Sequence, residues 1–302
     1  MKPGPAKTPP PSETRNTGGA VGVFDSGIGG LTVFKALRDA LPPGEELIYL
    51  GDTARVPYGT KSNETVARYA LEGARFLARR GVKALVVACN TMSAVALPAL
   101  RDALAVPVVG VIGPGAEAAC RATRSQAIGV IGTATTIRSG AYSAAIASRL
   151  PKARVVGRAC PLFVPLAEEG WVDNEVARAT AAAYLAEMRQ AGIDTLVLGC
   201  THYPLLKNVI GEAMGHGVRL VDSAEATAVV VRERLSERGL LAAGPAAGAG
   251  AGAAASAPGP SGRGPRGADR FFVTDSSERF LEVASRFLGR PIESLELVDI
   301  TE

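Results

Sequence analysis

The feature that most limits the fold is an alternation of short apolar runs with amphipathic stretches along the 302-residue chain. The runs are continuously apolar, as in strands buried on both faces, and strand–helix repetition implies parallel sheets with helices on both sides. We therefore predict an α/β fold. The predicted strands are 20–24, 46–50, 84–88, 106–111, 127–131, 153–157, 194–198, 218–222 and 271–273. The predicted helices lie near 30–41, 62–80, 92–104, 114–124, 135–149, 174–191, 203–214, 224–238 and 276–288.

Two segments of the chain have the same sequence pattern. Residues 84–94 read ALVVACNTMSA and residues 195–205 read TLVLGCTHYPL. Each has an apolar strand, a small residue, a cysteine, a polar pair and a helix start. The two cysteines are about one domain length apart. We therefore predict two similar α/β domains with mainly parallel sheets, each with a cysteine at the end of a central strand.

Two Pro/Gly-rich segments, 1–19 and 243–268, lack apolar periodicity and are predicted to be a disordered tail and a disordered insertion. They also carry the whole net charge of +4, so the rest of the chain is neutral and nucleic acid is not an expected partner. No apolar run reaches about 18 residues and the N-terminus has no apolar signal region, so neither membrane association nor export is expected. Four scattered cysteines predict reduced thiols in the cytoplasm.

Cys89 and Cys200 are the candidate catalytic residues, because ligands of open α/β sheets bind beyond the carboxyl ends of the strands. A predicted helix follows each one, and its positive end favours the thiolate. The alternative is a buried, inert thiol. The polar pairs Asn90-Thr91 and Thr201-His202, which follow the two cysteines, favour chemistry.

Asp25 and Ser26 follow the first predicted strand, where a carboxylate can hold or receive a proton. The adjacent Gly27, Gly29 and Gly30 let the backbone approach an anion at a helix N-terminus. Their spacing fits neither dinucleotide nor P-loop patterns, so a small carboxylate ligand is favoured over a nucleotide. A tight turn with a helix cap is the alternative.

Three further positions are candidates of a weaker kind. The 57–59 turn, Pro-Tyr-Gly, follows the second strand and could contact a ligand through its amides and its phenol. The alternative is that this turn and the preceding Asp52 form only a loop. His202 can exchange protons with Cys200 or a substrate. Glu168 follows an apolar stretch, and either lies near Cys200 or is a solvated loop charge. No CxxC or HxxxH spacing is present, so no metal is expected, and Cys120 and Cys160 are predicted to be structural.

A substrate held between two domains would have one thiol on each side. One thiolate would remove a proton from carbon and the opposite thiol would return a proton to the other face, inverting the stereocentre. Such chemistry needs no cofactor. A pyridoxal enzyme would need a Schiff-base lysine, and no lysine lies in a recognisable site.

Five motifs, VFDSGIGGLTV, GDTARVPYG, VVACNTMSA, ACPLFVPL and VLGCTHYPLL, together closely resemble the glutamate racemases, cofactor-independent amino-acid racemases that supply D-glutamate for bacterial peptidoglycan. The likeness spans about 20–240 and resumes at 271–289. The resemblance implies two α/β domains with the active site between them, glutamate as substrate, no cofactor and a homodimer. By the pattern of such relatives, the domains would be 20–113 plus 222–302, and 114–221.

The resemblance also assigns roles. Cys89 and Cys200 would be the two acid/base catalysts, with Asp25 assisting Cys89, and His202 and Glu168 assisting Cys200. Substrate contacts would come from Asp25, Ser26, Pro57, Tyr58, Gly59, Asn90, Thr91, Thr133, Thr136, Thr201 and His202.

Three alternatives remain. An aspartate racemase would share the sheets and both cysteines, although the PYG and CTHYPL motifs favour glutamate. A Cys–His hydrolase would use one cysteine as a nucleophile and pass through a covalent intermediate. An amino-acid-binding protein could have the same two lobes, but paired thiols would then be superfluous.

Overall fold

A computed structural model of the chain describes residues 19–242, 269–276 and 278–301. Apart from Gly19, the tail predicted at 1–19 and the insertion predicted at 243–268 lie outside these residues. No helix in the described ranges is both long enough and apolar enough to cross a membrane.

The first sheet has six strands in the order β10-β9-β2-β1-β3-β4, and every pairing is parallel. Its strands are β1 (Val21–Asp25), β2 (Leu47–Gly51), β3 (Ala84–Val87), β4 (Val108–Gly110), β9 (Asp269–Val273) and β10 (Glu296–Leu297). The central β1 is buried along its whole length, which agrees with its continuous apolar run. Only β10, which is two residues long and exposed, was not predicted.

The second sheet has four parallel strands in the order β6-β5-β7-β8. They are β5 (Ala127–Gly132), β6 (Arg154–Ala159), β7 (Thr195–Gly199) and β8 (Arg219–Asp222). After β8 the chain returns to the first sheet through β9 and β10. The α/β prediction with two parallel sheets is confirmed, while the domain bounds 20–113 plus 222–302 and 114–221 stay a prediction.

The helices surround these sheets. They are α1 (Leu31–Ala40), α2 (Asn63–Arg79), α3 (Asn90–Val95), α4 (Leu97–Ala103), α5 (Ile112–Ala122), α6 (Ala134–Arg138), α7 (Ala141–Ala147), α8 (Phe163–Glu169), α9 (Glu175–Gln190), α10 (Lys207–Met214), α11 (Ser223–Glu237) and α12 (Glu278–Leu288). Helices α1 and α11 pack against each other, and one apolar cluster runs from Val23 in β1 to Leu198 in β7. A continuous core therefore joins the two sheets.

Three predicted helices are interrupted, each for a local reason. The helix expected at 92–104 divides because Pro98 lies in the first turn of α4, where it cannot donate to the preceding turn. The helix expected at 135–149 divides at Gly140, whose φ of +66° is left-handed. The helix expected at 203–214 begins as a 3-10 turn, Tyr203–Leu206, with Pro204 near its start.

A buried charge network lies at the amino-terminal ends of strands in the first sheet, whereas the candidate site lies at their carboxyl ends. Lys83 Nζ lies 2.5 Å from Glu45 Oε1, and both side chains are almost wholly buried. Arg38 donates to the Glu45 carbonyl at 2.7 Å and pairs with Asp269 of β9. Asp269 also pairs with Arg290 at 2.5 Å. The network therefore links the start of β9 to α1 and to the segments that precede β2 and β3.

Candidate active site

Residues from both sheets enclose a small cavity of about 80 Å³. Pockets that bind drug-sized ligands measure roughly 300–1,000 Å³, so this cavity suits a much smaller molecule. The first sheet contributes the ends of β1 and β3, and the second contributes the ends of β5 and β7. The cavity lining comprises Ser26, Gly27, Ile28, Val56, Pro57, Tyr58, Gly59, Cys89, Asn90, Thr91, Thr133, Val164, Glu168, Cys200, Thr201 and His202.

Most of the site residues predicted from the sequence therefore lie around one space. Two do not line it: Asp25 and Thr136 are fully buried behind the wall. Ile28, Val56 and Val164 line the cavity but were not predicted, because isolated apolar residues carry no chemical signal. A larger groove of about 530 Å³ lies between α1 and α11 and contains none of the predicted site residues.

Cys89 immediately precedes α3 and is buried against the end of the first sheet. Burial raises the pKa of its thiol to about 12, the Asp25 charge acts in the same direction, and a hydrogen bond with the Ser26 hydroxyl opposes both. The expectation of a thiolate at Cys89 is therefore wrong, because burial outweighs the end of the short helix α3. Cys89 is a protonated thiol that can donate a proton.

Asp25 is the last residue of β1 and is near enough to Cys89 for its charge to act on the thiol. Its Oδ2 accepts a 3.0 Å hydrogen bond from the Gly27 amide, and the Gly30 amide bonds the same carboxyl group. The glycine turn, expected to hold a ligand anion, thus holds the Asp25 carboxylate. Burial raises the pKa of Asp25, while these amides and the nearby His202 charge lower it. Asp25 is consequently a buried carboxyl group near the Cys89 thiol.

The other cysteine, Cys200, belongs to a chain of three groups. Its Sγ lies 3.8 Å from His202 Nδ1, and His202 Nε2 lies 2.8 Å from Glu168 Oε1. Burial lowers the pKa of His202, but hydrogen bonds and the charges of Cys200 and Glu168 outweigh it and raise that pKa to about 10. His202 therefore carries a proton at neutral pH and can give it to Cys200 or stabilise its thiolate.

Glu168 reaches His202 because residues 163–169 form α8, which was not predicted. The segment contains Pro165 and a run of apolar residues, which do not mark a helix in the sequence. The alternative of a purely solvated charge does not hold, although the Glu168 side chain is still 41% exposed. Helix α12 packs over this region: Arg286 donates to the Glu168 carbonyl at 2.7 Å, and the Phe287 ring meets the His202 ring edge-on.

Three hydroxyl groups meet where the two sheets approach. Thr91 Oγ1 lies 2.9 Å from Thr133 Oγ1 and 3.3 Å from Thr136 Oγ1. Thr133 also caps α6, accepting from the Thr136 amide. Only Thr91 and Thr133 reach the cavity, so Thr136 supports them from behind.

The 57–59 turn is held by a buried carboxylate, Asp52. The Tyr58 phenol donates to Asp52, Arg55 Nε donates to it at 2.7 Å, and the Thr274 hydroxyl donates at 2.9 Å. The Tyr58 phenol, which was predicted to contact a ligand, therefore donates its hydrogen bond to Asp52. Since Asp52 follows β2 in sequence, its position at the sheet edge was foreseeable, but its partner Thr274 was not.

A hydrogen bond also joins α1 directly to the loop that contains Cys200. The Thr32 hydroxyl, in the first turn of α1, donates to the Thr201 carbonyl at 2.9 Å. Among the described residues there is no cluster of three or more His, Cys, Asp or Glu side chains that could hold a metal ion. The arrangement thus provides two thiols, one from each sheet, each with an acid/base group beside it, around a space for a small molecule.

Comparisons with known proteins agree with one another. A sequence model of the Asp/Glu/Hydantoin racemase family matches residues 31–231. A glutamate racemase from Geobacter metallireducens is 57% identical over 270 residues, covering 89% of this chain and 93% of the relative. The crystal structure of a glutamate racemase isoform from Bacillus anthracis superposes with a TM-score of 0.84 at 38% identity, covering 94% of this chain and 98% of that one. The glutamate racemase from Francisella tularensis, solved in complex with D-glutamate, gives 0.82 at 36% identity, with 94% and 99% covered.

Proposed function

The chain belongs to the Asp/Glu/hydantoin racemase family of isomerases, and from that membership we propose that it interconverts L- and D-glutamate by proton transfer between two cysteines. The observation that carries this proposal is the meeting of Cys89 and Cys200, from different sheets, in one small cavity. Relatives named glutamate racemases, at up to 57% identity in these comparisons, support glutamate as the substrate.

In the proposed reaction, one cysteine acts as a thiolate and takes the α-proton, leaving a carbanion whose charge spreads into the α-carboxylate. The other cysteine, as a thiol, gives its own proton to the opposite face of the same carbon. The substrate keeps all its atoms, the two sulfurs exchange protonation states, and the stereocentre is inverted. No cofactor takes part.

The neighbouring groups fit these roles. At Cys200, protonated His202 can stabilise the thiolate or supply the proton, and Glu168 sustains its charge. At Cys89 the thiol is the resting form, and the buried carboxyl of Asp25 is close enough to influence its charge. Asn90, Thr91 and Thr133 line the cavity and are proposed to bind the substrate carboxylates. Preorganised donors of this kind stabilise the charge that develops in the transition state.

The experiment is circular dichroism of the purified protein with L- or D-glutamate and no added pyridoxal phosphate. We expect the ellipticity of either enantiomer to decay to zero. A constant signal with glutamate and decay with aspartate would instead identify an aspartate racemase. A covalent adduct on either cysteine, detected by mass spectrometry, would favour the hydrolase alternative.

Three further features of the proposal follow from the same family. We expect a homodimer, which sedimentation velocity can measure, and activity in the cytoplasm. The D-glutamate formed would feed peptidoglycan synthesis. Rescue of a bacterium that requires D-glutamate tests this last point, and lack of rescue by an enzyme active in vitro would contradict it.

A further inference from the structure

Asn90, the residue after Cys89, has an unbalanced set of hydrogen bonds. Its Oδ1 accepts a 2.7 Å hydrogen bond from the phenol of Tyr142, whereas its Nδ2 has no hydrogen-bond partner among the residues that the structure describes. The side chain is 2% exposed and lines the cavity. Because a buried amide N–H without an acceptor is unfavourable, this donor indicates an acceptor supplied by whatever enters the cavity.

Tyr142 reaches Asn90 from the second sheet. It lies on α7, is buried, and its ring packs at the end of β7 beside Gly199, the residue before Cys200. Burial raises the pKa of Tyr142 by more than a hydrogen bond with Ser223 lowers it. The phenol therefore keeps its proton at neutral pH. One side chain therefore contacts the loops of both cysteines, and its hydroxyl is bonded to the oxygen of the Asn90 amide.

We propose that Tyr142 is a positioning residue, which holds the Asn90 amide so that Nδ2 faces a carboxylate of the substrate. An amide turned by 180° would present its carbonyl oxygen to that carboxylate, and two acceptors repel. The geometry itself requires a hydrogen-bond acceptor in the cavity; that this acceptor is a carboxylate of glutamate rests on the proposed function.

Tyr142→Phe tests this, because it keeps the ring and removes the hydroxyl. We expect the KM for both glutamate enantiomers to rise about 10-fold, with kcat changing less than about twofold. In an Asn90→Ala background the same substitution should change KM no further, because its effect passes through that amide. Tyr184→Phe is the matched control: it removes a phenol that bonds the Leu162 backbone outside the cavity, and KM should not change.

A second measurement does not depend on catalysis. In protein labelled with ¹⁵N-asparagine, the side-chain amide signals of Asn90, assigned by their loss in Asn90→Ala, should shift in Tyr142→Phe and stay in place in Tyr184→Phe. Unmoved signals, or an equal rise in KM in the presence and absence of the Asn90 side chain, would overturn the proposal. If the unmodified protein does not racemise glutamate, the proposed function fails, but the amide signals still decide the role of Tyr142.

Discussion

Glu168→Gln offers a quantitative test of the His202 relay. The substitution keeps the shape of the side chain and removes its charge. The contact in question is the 2.8 Å hydrogen bond between Glu168 Oε1 and His202 Nε2, one of the causes that raise the pKa of His202 to about 10. A neutral amide stabilises the imidazolium less, so that pKa should fall.

The size of the fall can be worked out from the contact. A hydrogen bond to a charged group contributes about 1.5–3 kcal/mol. The Glu168 side chain is 41% exposed, so solvent screening reduces this contribution. We take the screened contribution as about 1.4 kcal/mol, which corresponds to about one pKa unit. Its loss should lower the pKa of His202 from about 10 to about 9.

A histidine with a raised pKa is protonated at low pH and loses its proton as the pH rises through that raised value. If protonated His202 is required, kcat/KM should decline on the basic side near pH 10 in the unmodified enzyme, and about one pH unit lower in Glu168→Gln. Circular dichroism rates between about pH 7 and 10.5 measure this. The amino group of glutamate titrates equally in all variants, so the difference reports on the protein.

The control for this prediction is Glu169→Gln, which removes the neighbouring carboxylate from the same helix. Its basic limb should coincide with that of the unmodified enzyme. The reasoning is refuted if Glu168→Gln leaves the basic limb unmoved, or if both variants shift it equally, since the effect would then arise from general charge rather than from contact with His202.

Two further predictions concern groups outside the proton relay. Lys83→Met leaves Glu45 buried without its cation and should lower the free energy of unfolding by about 3–5 kcal/mol in urea denaturation; a loss below about 1 kcal/mol would contradict a buried pair at this position. Tyr58→Phe removes the donor to Asp52 and should loosen the 57–59 turn, raising the KM for glutamate about fivefold with a loss of about 1 kcal/mol in stability; an unchanged KM would mean that Asp52 does not position the turn.

The elements that were predictable from sequence are those with local causes. Strands such as β1 and β7 are continuous apolar runs, and the parallel strand ends place Cys89 and Cys200 at sheet edges without any knowledge of packing. Helix α8 was missed because Pro165 and its apolar neighbours do not have a helical signature in the sequence. In the folded chain, Phe163 and Leu166 pack into the apolar core, and this packing stabilises the helix.

The remaining site features depend on contacts between distant parts of the chain. Tyr142 lies 52 residues from Asn90 in sequence, and Thr274 lies 222 residues from Asp52. No local pattern indicates either pair. The protonation of Cys89 was predicted wrongly for a related reason: the adjoining helix is visible in the sequence, whereas the degree of burial that outweighs it emerges only from the folded chain.

The most direct test of the two-cysteine mechanism is the exchange of the α-hydrogen in D₂O. Starting from L-glutamate, the D-glutamate formed early should carry deuterium at Cα while the remaining L-glutamate keeps hydrogen, and the same should hold in the reverse direction. Cys89→Ser and Cys200→Ser should each lose racemisation, whereas Cys120→Ser, a thiol away from the cavity, should keep it. Hydrogen retained in the product, or full racemisation by either catalytic-cysteine variant, would contradict proton transfer between two bases.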